Sequence, residues 1–231
     1  MTENIEAFRR RTAFVWDSLP KEGGFVTHPR LADKVDPAGR FRPFYGDTAI
    51  FDLTDEDKEW LSGMQRMLYT TCGALLTEPL DPESFHITLH DLHSGTDADV
   101  VADEISRSRE GVKSLLTSLP GEWAASVRPT AVFSMVATSV VLGFEPVSEE
   151  DCAALMGLYG AIEQVVPVGY PLTPHVTLAY YRPIAGGEDM LRLLRKALAE
   201  VQGNMTPRTL TLSQPRYCAF TDMNHYRMHN L

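Results

Sequence analysis

The tetrad His-x-Thr-Leu occurs twice, as His86-Ile87-Thr88-Leu89 and as His175-Val176-Thr177-Leu178. β-branched and aromatic residues dominate both surroundings and a proline lies just upstream of each, so both read as strands. Side chains alternate along a strand, which puts His86 and Thr88 on one face and Ile87 and Leu89 on the other. The second copy does the same with His175 and Thr177 against Val176 and Leu178. Each copy offers an imidazole and a hydroxyl side by side, anchored by an apolar pair from behind. With 7 His, 19 Thr and 25 Leu in 231 residues, 44% of them hydrophobic, such a tetrad follows a given histidine about 0.4% of the time. Two among seven histidines then arise by chance roughly 3 times in 10,000.

The rest of the chain sets bounds. A length of 231 residues allows one large domain or two small ones with a substantial core. A net charge of -10 opposes a broad electrostatic grip on duplex nucleic acid, while leaving room for a small nucleotide or a single RNA end in a local pocket. Cys72, Cys152 and Cys218 are far apart in apolar contexts, as expected of core thiols in a reducing cytoplasm. The segment Met1–Arg11 has no apolar h-region and no run reaches membrane-span length, so the expected location is cytoplasmic and no membrane partner is expected.

In order, residues 4–19 suggest a short amphipathic helix with Ile5, Phe8, Phe14 and Leu19 on one side. Pro20 to Pro43 reads as an irregular arm over the surface, so residues 1–43 form a helix and arm and 44–231 a single bilobal domain. Tyr45–Asp52 reads as a strand, and Thr54 caps a helix reaching about Leu76. After the first tetrad a helix spans about 97–119, and strands are expected at Ala131–Ala137 and Ser139–Phe144. Ser148 opens a helix ending near Val165; the second tetrad, a helix from about Gly187 to Val201 and a strand pair between Thr209 and Phe220 follow. Each half therefore reads strand, helix, tetrad strand, helix. That order implies an α+β fold: two pseudo-twofold-related lobes, each a mainly antiparallel sheet backed by helices. If the tetrad strands lie centrally and face each other, both imidazoles line one cleft, where a small ligand is expected.

Two His-x-Thr tetrads on strands, one in each half of a chain this size, resemble the 2H phosphoesterase superfamily, which includes the 2',3'-cyclic nucleotide phosphodiesterases and the LigT-like RNA enzymes. The resemblance covers the eight tetrad positions and the element order between residues 40 and 226; the first forty residues have no counterpart in it. It implies that His86 and His175 act as acid and base and that Thr88 and Thr177 hold the phosphate, with no cofactor and no metal. The chemistry agrees. Hydrolysis of a cyclic phosphodiester needs a proton removed from water and another delivered to the departing alkoxide, and imidazoles titrate near neutrality. Which histidine is acid depends on whether the 2' or the 3' oxygen leaves.

Further candidates are substrate-binding. His90 and Tyr181 continue the faces of the two tetrads by strict alternation, Tyr181 being placed to stack on a base or ribose. Tyr45 and Thr48 lie on a strand that, by the resemblance, borders the cleft. Arg182 reads as a structural cation, Arg9-Arg10-Arg11 as solvated, and Asp222–His229 as a solvated tail. The expected partner is a small nucleotide or RNA end, with the chain as a monomer. Two alternatives stand: a nucleotide-binding module without turnover, and a zinc hydrolase using His86, His90 and His93. In a strand, His86 and His90 are about 13 Å apart, too far to share a zinc at about 2 Å per bond.

Overall fold

Two four-stranded antiparallel sheets carry the fold in the computed structural model, which describes residues 3–16 and 19–228. The helices are α1 (Ile5–Trp16), α2 (Asp55–Cys72), α3 (Ala98–Thr117), α4 (Glu149–Glu163) and α5 (Glu188–Asn204). The strands are β1 (Phe25–Val26), β2 (Tyr45–Asp52), β3 (His86–Gly95), β4 (Ala125–Met135), β5 (Ser139–Pro146), β6 (His175–Tyr180), β7 (Ala185–Gly186), β8 (Leu210–Leu212), β9 (Arg216–Asp222) and β10 (His225–Met228). One sheet runs β10-β9-β2-β3, the other β8-β4-β5-β6, and β1 and β7 form a two-stranded ribbon. The repeat is visible as β2-α2-β3-α3 and β5-α4-β6-α5, with β2 paired to β3 and β5 to β6. This is the two-lobed α+β arrangement.

Local chemistry starts the helices where the sequence places them. The Thr54 hydroxyl accepts from the Asp57 amide, and three acids follow in the first turn of α2, where the helix dipole favours them. Ser148 and Asp151 form a reciprocal capping box on α4. The main hydrophobic core runs through both sheets, so the lobes share one interior, and a small separate cluster joins Ile5 and Phe8 of α1 to Cys152 of α4.

Several expectations need correction. The tetrad strands are not central in their sheets: β3 and β6 are each an edge strand, and the two edges meet in the middle of the molecule. The segment 20–43 is not a surface layer, because Phe25, Leu31 and Val35 are fully buried in the main core. Helix α1 buries Ile5, Phe8 and Thr12, a stripe of spacing three and four, and leaves Phe14 82% exposed; Asp17 and Ser18 lie outside the described residues. Strands β8 and β9 do not pair with each other. The chain crosses at Ser213-Gln214-Pro215, so β8 extends the second sheet on β4 while β9 joins β2 in the first. The segment after Asp222 turns back as β10 on β9 instead of trailing into solvent; His229 lies outside the described residues.

Candidate active site at the meeting of the two sheets

His86 opens β3 and His175 opens β6, and the two histidines line a common cleft of about 1350 Å³ together with Thr88 and Thr177. Behind them Ile87, Leu89, Val176 and Leu178 are buried at 1% exposure or less. The two rings are held in the same way. His86 Nδ1 lies 2.7 Å from the Ser84 carbonyl, and His175 Nδ1 lies 2.8 Å from the Thr173 carbonyl. A carbonyl only accepts, so Nδ1–H donates in both rings and Nε2 is the nitrogen left for chemistry. These carbonyls are available because each belongs to the residue two before the strand, outside the sheet ladder.

Enclosure by protein lowers the pKa of His86 to about 4; the Ser84 carbonyl opposes this and the neighbouring His175 adds to it. Enclosure likewise lowers the pKa of His175, against the Thr173 carbonyl and the Asp91 charge. Enclosure therefore favours the neutral form of both imidazoles. Tyr226 of β10 packs on His86 with ring centroids 4.6 Å apart, a contact that the reading of this segment as a solvated tail misses.

Both tetrads end in a β-bulge that re-aims the residues just after it; on β3 a second bulge, at Leu92, restores the original phase from His93 on. On β3, Thr88 lies opposite Ile50 and His90 opposite Ala49, so Leu89 is the extra residue; on β6, Thr177 lies opposite Val141 and Ala179 opposite Val140, so Leu178 is. Alternation reverses after each. Asp91 and Tyr180 then share the cleft face with their tetrads, whereas His90 and Tyr181 turn away. Tyr181 is 0% exposed and packs edge-on against Phe25 at 5.0 Å, so it cannot meet a base. His90 is 1% exposed and its Nε2 donates to Glu163 on α4 at 2.9 Å. The Leu178 carbonyl at the second bulge is satisfied by Gln65 of α2 at 3.1 Å.

Tyr45 faces away from the cleft, on the side of β2 shared by Asp47, Ala49 and Phe51. Thr48 is on the cleft side, and its hydroxyl donates to the His90 carbonyl at 3.0 Å. His93 turns to Asp47 at 2.9 Å. Among the described residues no three His, Cys, Asp or Glu side chains converge to hold a metal, so the His86, His90 and His93 triad does not form. Arg182 donates to the Pro37 carbonyl, and Arg9, Arg10 and Arg11 pair with Glu145, Glu6 and Glu3; Arg10 stays in solvent, whereas Arg11 lines the cleft. Also among the described residues, no helix is long and apolar enough to cross a membrane.

Residues that sequence reasoning misses are Tyr180, Asp91, Tyr226 and Lys34, all lining the cleft. The Tyr180 hydroxyl donates to Met223 Sδ at 3.2 Å. Tyr170, in the loop before β6, donates to Asp91 Oδ2 at 2.7 Å and ties that loop to β3. A signal for Tyr180 exists only in its place next to Tyr181; without the bulge the wrong tyrosine is chosen.

No protein-family profile and no curated protein matches the chain. Solved structures do. The conserved protein of unknown function ATU0111 of Agrobacterium tumefaciens is similar with a TM-score of 0.68 and 16% identity, over 93% of this chain and 94% of that one. Escherichia coli LigT complexed with 3'-AMP is similar with a TM-score of 0.49 and 11% identity, over 82% and 97%. TT0787 of Thermus thermophilus has a TM-score of 0.46 and 17% identity, over 80% and 94%. With 93% of its length superposable on the Agrobacterium protein, the chain has that protein's fold: two sheet-and-helix lobes meeting at one cleft.

Proposed function

We propose that the chain is a metal-independent phosphodiesterase that hydrolyses a 2',3'-cyclic phosphate or a short nucleotide or RNA-end phosphodiester. The observation that carries this reading is the matched pair of imidazoles, each with Nδ1 tied to a carbonyl and Nε2 free in the same cleft. Binding alone has no need of two such nitrogens. Paired acid and base catalysis does.

In the reaction, a neutral Nε2 takes a proton from water as its oxygen attacks phosphorus. The protonated Nε2–H of the other ring gives its proton to the ribose oxygen as the P–O bond breaks. A phosphomonoester forms and the two rings exchange protonation states. The substrate anion supplies the charge that favours one protonated imidazole, offsetting the enclosure that favours the neutral form of both. Thr88 and Thr177, each one face-position from its histidine, donate to the non-bridging oxygens as charge builds there. Tyr226 limits the swing of His86, and Tyr180 gives an aromatic wall beside Thr177.

A screen in excess EDTA of 2',3'-cyclic nucleotides, linear oligonucleotides and RNA ends with cyclic phosphates tests the reading. Turnover of at least one, lost in His86→Ala and in His175→Ala, is the expected outcome. Saturable binding without turnover of any substrate contradicts it.

A further inference from the structure

The arm ahead of the first lobe brings a cation into the cleft. Lys34 ends the short 3-10 turn Pro29–Asp33 and lines the cleft wall. Its Nζ lies 4.8 Å from the Phe44 ring centroid and 6.0 Å from that of Tyr180, the residue that shares the cleft face with His175 and Thr177. Among the described residues its ammonium makes no hydrogen bond and no ion pair, in a chain that carries a net charge of -10. Asp91, the acid whose field reaches it most strongly, is engaged by the Tyr170 hydroxyl. An ammonium on a partly enclosed wall, with no hydrogen-bonded or ion-paired partner, is poorly compensated for the water it has lost, and an anionic group entering the cleft would relieve that cost. Enclosure also lowers its pKa and Arg30 adds to this, while Asp91 and, more weakly, Asp33 oppose it.

We propose that Lys34 receives a phosphate group of the ligand, so that the arm supplies part of the cleft's specificity. The inference rests on the phosphodiesterase reading only for the chemical class of the ligand. The phosphate is either the one held between the tetrads or a second one on the same nucleotide; in both cases the contact is an ammonium to phosphate oxygens, flanked by two rings.

The test is calorimetric titration of the full chain with inorganic phosphate, 3'-AMP and adenosine 3',5'-bisphosphate, comparing wild type with Lys34→Met and Lys34→Arg. Methionine keeps the stem packed on Phe44 and Tyr180 while removing the charge, and thermal melts confirm that the variant folds. The expected result is about a ten- to hundredfold weaker affinity in Lys34→Met, the range of one charge-assisted hydrogen bond, largely restored in Lys34→Arg. Equal loss for 3'-AMP and the bisphosphate places Lys34 on the phosphate at the tetrads; loss for the bisphosphate alone places it on a second phosphate. Unchanged affinity for all three ligands in Lys34→Met, or no binding of any of them by wild type, overturns the proposal. Titration reads Lys34 whether or not the chain turns over a cyclic phosphate, so its failure and that of the catalytic reading are separable.

Discussion

At the scale of residues, two imidazoles are made alike by the same device, a carbonyl two residues upstream that fixes the tautomer. The threonines are where each tetrad's contribution can be weighed without disturbing that device. Thr88 and Thr177 are on the cleft surface and their neighbours Ile87, Leu89, Val176 and Leu178 do the packing. Thr88→Ala and Thr177→Ala should therefore fold normally and slow turnover, each by about 1–3 kcal/mol of barrier, one charge-assisted hydrogen bond apiece. Steady-state kinetics beside thermal melts checks this, and wild-type rates in both variants would reduce the threonines to strand formers. The tetrads are legible in the sequence because a two-residue repeat on a strand survives any tertiary context. Tyr180 and Lys34 are not, since their roles depend on a bulge and on where an arm lies.

At the scale of elements, the two bulges decide what each strand shows to the cleft. Strict alternation sends His90 and Tyr181 to the ligand; one extra residue at Leu89 and at Leu178 sends Asp91 and Tyr180 instead. Nothing local in His-x-Thr-Leu announces a bulge, which is set by pairing with β2 and β5. Strand and helix order in both halves is readable because caps and apolar stripes are local, whereas the destinations of β8 and β9 are not, Ser213-Gln214-Pro215 being as good a hairpin turn as a crossing. His90 is an anchor, not a ligand contact: it donates to Glu163, whose carboxylate also accepts from the Val168 and Gly169 amides in the loop lining the cleft. His90→Ala should cost about 1–3 kcal/mol of stability by removing a fully enclosed imidazole from between the Glu163 carboxylate and the Tyr159 ring and speed hydrogen exchange at Val168 and Gly169. His90→Gln, which can still donate, should recover part of both. Unaltered exchange at those amides in His90→Ala would show that the loop does not depend on this contact.

At the scale of the molecule, one core spans both lobes and the cleft exists only where their edges meet, so folding and pairing of the histidines are the same event. This ties stability to pH. The fold keeps His86 neutral down to about 4, against about 6.5 in the unfolded chain. As pH falls below about 6.5 the unfolded state binds its proton first, so stability should decline between about pH 6.5 and 4; above 6.5 this contribution is constant. Urea unfolding across that window, repeated with His86→Gln, should show the variant declining less; identical slopes would mean that His86 is not held neutral by the fold. The central claim is that one lobe's histidine gives a proton while the other lobe's takes one. It is tested most directly by a double-mutant cycle of His86→Ala, His175→Ala and both, in EDTA, on whichever substrate the screen yields. Each single change should cost about two to four powers of ten, and both together far less than the product, since neither imidazole completes the transfer alone. Losses that simply multiply, or activity that vanishes with chelator while the single variants stay active, would contradict the paired mechanism.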